Sequence, residues 1–183
     1  MDIVGEAGVA AYTVMMYVDF IFVAAFIGFT MGVAPVFSFQ LGAGNHEELK
    51  SLFSKCAKVI GCLSLVMTLF PQFLAGTLAG LFVGYDRILW EMTEAGFRIF
   101  ALSFLFKSWN IFGSGFFTAL GDGKTSAILA FLRTLLFQCG AVLLLPLAFG
   151  LDGVWWATVA AEGAAVLVTL WYFYRKRNTY HYA

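Results

Sequence analysis

At 183 residues the chain is long enough for one soluble domain, but 61% hydrophobic and 18% aromatic residues against only 12% charged exclude one. A soluble surface of that size needs roughly 25% charged residues, whereas a bilayer rewards an apolar exterior. The formal net charge of zero argues against nucleic acid as a partner and leaves the lipid bilayer in its place.

Met1 to Glu6 carries Asp2 and Glu6 and lacks the basic start of a signal peptide. Five apolar stretches follow, at about 9–39, 57–83, 95–120, 126–149 and 154–174. Each can cross roughly 30 Å of hydrocarbon at about 1.5 Å per residue. The expected fold class is all-α, a polytopic membrane helix bundle forming a single membrane domain over 1–183. Turn chemistry separates the stretches at Leu41-Gly-Ala-Gly-Asn45, Gly84-Tyr-Asp-Arg87, Gly121-Asp-Gly123 and Gly150-Leu-Asp-Gly153. Pro35 and Pro71 fall inside helical runs and should kink them, and Pro35 should mark where the long first run leaves the hydrocarbon. Gly28 with Gly32, and Gly76, Gly80 and Gly84 in series, have the spacing that lets membrane helices approach closely. They read as packing positions. Cys56, Cys62 and Cys139 lack metal-type spacing and read as small core residues, and His46 and His181 form no ligand cluster with them.

Charge in the connections sets an orientation. Lys50, Lys55 and Lys58 follow the first stretch, Lys124 the third, and Arg175, Lys176 and Arg177 the fifth. The alternate connections hold Asp86, Arg87, Glu91 and Asp152. Basic residues on every second connection place the C-terminus in the cytoplasm and the N-terminus outside. An outside start without a signal sequence implies at least one preceding helix.

Four ionisable residues lie where hydrocarbon is expected: Asp19, Lys107, Arg133 and Glu162. Each costs about 2.5–3.5 kcal/mol if it faces lipid, so each should face inward. Ser103, Lys107, Asn110, Ser114 and Thr118 recur at helical spacing and make one polar face on the third helix. Trp155, Thr158, Glu162 and Thr169 repeat the pattern on the fifth, and Tyr12, Asp19 and Thr30 follow it loosely on the first. Two roles stay open for the charged residues. They can pair to hold the bundle together, with Arg133 alternatively snorkelling to the surface, or they can bind substrate and coupling ion in a shared wet interior. Gly123-Lys124-Thr125 is not the end of a P-loop, because Thr118 stands where the motif needs glycine. With no HExxH, GxSxG or Cys/His cluster in the sequence, an enzyme is not expected and no metal is implicated.

Three segments carry a resemblance. Gly28-Phe-Thr-Met-Gly-Val-Ala-Pro-Val-Phe-Ser-Phe-Gln-Leu-Gly-Ala-Gly44 followed by Asn45 is the first. The second is Asn110-Ile-Phe-Gly-Ser-Gly-Phe-Phe-Thr-Ala-Leu-Gly-Asp-Gly-Lys124, with Ser126 and Leu132-Arg-Thr134. The third is Leu145-Pro146, Gly153-Val-Trp155 and Ala161-Glu162. In this order they resemble the multidrug and toxic compound extrusion (MATE) transporter family. The resemblance implies two six-helix lobes around a central cavity, with this chain similar to helices 8–12 of the second lobe. It implies a cation-coupled antiporter, driven by H⁺ or Na⁺ with no other cofactor, exporting small amphipathic and often cationic organic substrates. Its expected partner is an absent N-terminal lobe, and its expected location is the plasma membrane, a bacterial inner membrane, with several passes. Asp19, Glu162, Asn110, Lys107 and Arg133 are the candidate substrate- and ion-binding residues. Two other readings stand beside it: a lipid-linked saccharide flippase of the same superfamily, favoured by a more cationic cavity, and a non-transporting membrane fragment or assembly partner.

Overall fold

The computed structural model describes residues 6–183, so the acidic stretch around Asp2 lies outside it. The described residues form helices with no strand among them: α1 Glu6–Gly42, α2 His46–Val83, α3 Arg87–Ala101, α4 Ser103–Ala119, α5 Gly123–Phe131, a π-helical segment Leu132–Gln138, and α6 Cys139–Tyr180. They make five passes. The third is α3 and α4 together, separated only by Leu102, whose amide bonds back three residues to Ile99 O at 3.1 Å. The fourth runs through α5, the π segment and the start of α6. Gly150 ends it at φ 60°, ψ −132°, a backbone conformation open to glycine and strained for other residues, and the fifth pass returns from there.

The helices start earlier than the apolar stretches, for a local reason. Asn45 caps α2 by accepting from the Glu48 amide at 3.2 Å, and Glu47 and Glu48 lie in the first turn, where the helix dipole favours acid. The helix therefore begins at His46 and carries Lys50, Lys55 and Lys58 within it. Asp86 does the same for α3, accepting from Ile88 N at 2.9 Å and Leu89 N at 3.2 Å. Hydropathy marks only the portion of a helix that sits in hydrocarbon; caps mark where the helix begins. At 37 residues, α1 is about 55 Å long and overruns a ~30 Å core.

Packing radiates from α4, which touches α1, α2, α5 and α6. Small residues permit the approach: a Cβ on Gly113 would collide with Thr169 Cγ2, and one on Gly115 with Thr30 Cγ2. Trp90 lies over Gly76 and Gly80 of α2 and donates its indole N–H to Gly76 O at 3.0 Å. Gly28 and Gly32, by contrast, meet nothing within 4 Å, so their spacing is not used for packing inside this chain. The cysteines divide likewise. Cys56 is buried, whereas Cys62 and Cys139 are exposed, because a membrane helix is apolar all round and hydropathy does not tell its inner face from its outer.

The buried apolar residues form two clusters. One gathers Met15, Phe22, Phe97, Phe100, Phe104 and Trp155; the other gathers Phe37, Leu49, Ile60, Phe112, Phe116, Phe117, Phe173 and Tyr182. Tyr182, just past the last helix, is inserted in the second cluster and donates its hydroxyl to Phe173 O at 2.8 Å. This tail also brings the His181 ring to 4.9 Å from that of His46, joining the chain's end to the α1–α2 turn.

Candidate functional site

On α4, Lys107 and Asn110 fall between Phe104 of one aromatic cluster and Phe112 of the other. A polar layer therefore crosses a bundle that is greasy on both sides of it. Helical spacing turns Lys107 and Asn110 inward with Ser103; farther along the same stripe Ser114 is half-buried and Thr118, one residue before the helix ends, is exposed. Ser103 is buried and its hydroxyl has no partner. Ser114 and Thr118 share the Ser126 hydroxyl at 3.0 and 2.7 Å and so tie α4 to α5.

Lys107 Nζ donates to Asp19 Oδ1 of α1 at 2.6 Å. Both residues are buried, and the ammonium also lies 5.1 Å and 5.6 Å from the ring centres of Phe100 and Phe104. The aromatic faces supply negative potential where water is excluded.

Glu162 is the centre of a second group. Arg133 Nε donates to both of its oxygens at 3.0 Å, and Nη2 to Oε1 at 2.8 Å. Asn110 Nδ2 donates to Glu162 Oε2 at 2.7 Å and to its backbone carbonyl at 3.0 Å. Thr169 donates to Asn110 Oδ1 at 2.9 Å, which fixes the amide so that its N–H faces the carboxylate. Charge-assisted hydrogen bonds of this kind satisfy the acceptor sites a buried carboxylate must fill.

Asp19, Lys107, Arg133 and Glu162 all line one cavity of about 270 Å³, together with Tyr12, Met16, Phe100, Thr134, Gln138 and Thr158. Asn110 stands behind Glu162 and does not line it. The Arg133 side chain is 27% exposed against 5% for Glu162, so the guanidinium lies toward the mouth, where it also borders a 230 Å³ cleft between α1 and α4. All five sequence candidates thus converge, and each carboxylate meets a base. Gln138 and Thr134 also line the cavity, although neither is charged nor part of a periodic polar stripe. Gln138 donates to Thr158 Oγ1 at 3.3 Å and stands five residues after Arg133. In a π-helix a step of about five returns to the same face, so the wider turn aims both side chains into the cavity. Two polar residues five apart in an apolar run were the available signal.

The chain resembles known proteins in both sequence and fold. The family model MatE matches residues 1–142. The multidrug export protein MepA of Staphylococcus aureus (strain bovine RF122 / ET3-1) is 23% identical over 152 residues, covering 83% of this chain and 33% of that protein. An outward-facing conformation of a multidrug resistance MATE family transporter of the MOP superfamily superposes with a TM-score of 0.86 at 24% identity. An inward-facing conformation of such a transporter gives 0.76 at 22% identity. Both superpositions cover 95% of this chain, but 40% and 41% of those chains. The chain therefore spans about a third of the relative and two fifths of the solved structures.

Proposed function

The chain belongs to the MatE family, and from that premise we propose that it forms part of an efflux antiporter. The transporter is coupled to H⁺ or Na⁺ and exports amphipathic, often cationic, organic compounds. The observation that carries this reading is that Asp19 and Glu162 line one cavity and each already holds a cation, Lys107 and Arg133 respectively. A carboxylate held this way can exchange its internal cation for a proton, a sodium ion or a cationic substrate. Arg133, at the mouth, is the partner with room to leave; Asn110 and Thr169 keep Glu162 in place while it does. The aromatic walls suit the apolar part of a substrate. Transport by alternating access needs a second lobe moving against this one, and that lobe is the proposed partner. The basic residues of α2 lie at the same end of the bundle as Lys176 and the His46–His181 contact. That supports a cytoplasmic C-terminus; a bacterial inner membrane is the proposed location.

A lipid-linked saccharide flippase would favour a cavity with cationic excess. Here Lys107 and Arg133 are each matched by a carboxylate, which favours the exporter. Dye efflux from cells expressing the chain alone, and with a candidate first lobe, tests the reading. Efflux should require the first lobe, and Asp19→Asn and Glu162→Gln should each lower it. Wild-type rates in both variants at normal expression would overturn the site assignment, and no efflux in either arm would favour a non-transporting assembly partner.

A further inference from the structure

A second polar hollow lies away from the cavity, at the end of the bundle where α5 begins and α6 ends. It encloses about 410 Å³ and is lined by residues including Asp122, Lys124, Ile128, Arg175, Lys176 and Thr179. Its charge is lopsided. Asp122 is committed, accepting from the Thr125 amide at 3.1 Å and hydroxyl at 2.7 Å and pairing with Lys176 Nζ at 3.1 Å. Among the described residues neither Lys124 nor Arg175 takes part in an ion pair, and both are exposed. Three bases against one acid leave the hollow with an excess of two positive charges. Arg175 is held in place by the Trp171 ring, 4.9 Å from its guanidinium carbon.

We propose that this hollow binds the phosphate of an anionic phospholipid headgroup. Lys124 and Arg175 supply free charge, the Thr179 hydroxyl supplies a donor, and Lys176 keeps two of its three N–H donors after meeting Asp122. A lipid is favoured over a free phosphate by what lies next to the hollow. Ile128 lines it, and Phe131 follows one turn along the helix at a step of three, with Leu135 beyond it in the π segment. They are exposed by 59% and 54% and form an apolar track for an acyl chain. Trp171, which carries the Arg175 guanidinium, is exposed beside it by 48%, as aromatic residues are at the headgroup level. Basic pockets between membrane helices recognise headgroups by this chemistry.

The test is native mass spectrometry of the full chain in detergent micelles with dioleoylphosphatidylglycerol, dioleoylphosphatidylcholine or inorganic phosphate added. Each basic side chain near an anionic surface changes affinity about fivefold, so Lys124→Gln with Arg175→Gln should weaken phosphatidylglycerol binding by about twenty-five-fold. Arg87→Gln, outside the hollow, should leave it unchanged. Phosphatidylcholine binding as tightly as phosphatidylglycerol would overturn the proposal. So would equal retention by the double variant, or displacement of phosphatidylglycerol by an equal concentration of inorganic phosphate.

Discussion

Arg133 reaches Glu162 with two nitrogens, Nε and Nη2, at 3.0 and 2.8 Å from a single carboxylate oxygen. The two residues lie on different passes, and the π turn under Arg133 aims it. Their burial is unequal, and that makes the pair asymmetric. Arg133→Gln leaves Glu162, only 3% exposed, without its counter-ion, a loss of about 3–5 kcal/mol. Glu162→Gln leaves a long guanidinium that can move into the mouth, so its loss should be smaller. Thermal unfolding in detergent, followed by circular dichroism, orders the two variants. An equal or greater loss for Glu162→Gln would contradict the asymmetry.

Asp19 and Lys107 have no such outlet, since both are buried. Asp19→Asn and Lys107→Met should each destabilise strongly, and the double variant should lose less than the two losses added. The coupling expected for a contacting pair is about 0.5–3 kcal/mol. Additive losses in the same unfolding assay would mean that the contact carries no energy.

The turn between the last two passes depends on Gly153. A Cβ there would strike the backbone carbonyl of Leu145 and the nitrogen of Pro146, atoms that cannot swing aside as a side chain can. Gly153→Ala should therefore cost about 1–3 kcal/mol or block assembly. Gly28→Ala, with nothing within 4 Å, should be neutral or slightly stabilising. Paired expression and unfolding measurements would show it, and similar losses at both positions would refute the packing account.

Asp122 gives the lobe a pH dependence. Burial pushes its carboxyl up, but the Thr125 hydroxyl and amide, together with Lys176 and Tyr180, outweigh that and hold it below its ordinary value of 3.8. A depressed carboxyl stabilises the fold above its unfolded pKa, and that stability is lost as pH falls through the folded value. The Asp122 contribution should thus be complete at neutral pH and disappear only below about pH 4. Asp122→Ala should remove about 1 kcal/mol at pH 7, and progressively less as the pH falls below the ordinary carboxylate value. A pH-independent difference between variant and wild type would refute this.

What the sequence made legible was whatever repeats along a single helix. Ser103, Lys107 and Asn110 announce an inward face by spacing alone, though the same spacing carries on to Thr118, which is exposed; Asp19 and Glu162 announce it by being costly in lipid. Partner choice was not legible. Two acids and two bases allow either pairing, and only the bundle's packing sets Lys107 against Asp19 and leaves Glu162 to Arg133. The π segment escaped because one inserted residue per turn has no hydropathy signature. Tyr182 escaped because a polar tail after Arg175, Lys176 and Arg177 reads as solvated, yet its ring fills a gap among Phe53, Phe116 and Phe173.

The four charges in the layer between the aromatic clusters are two of each sign. A membrane voltage therefore does no net electrical work on them when the lobe moves as a rigid body. Uptake of one proton by either carboxylate changes that. The layer then carries a whole elementary charge, and moving it across the full field is worth about 2.3 kcal/mol per 100 mV. The same pairing that makes these residues tolerable in hydrocarbon makes the layer electrically silent for as long as both carboxylates stay ionised.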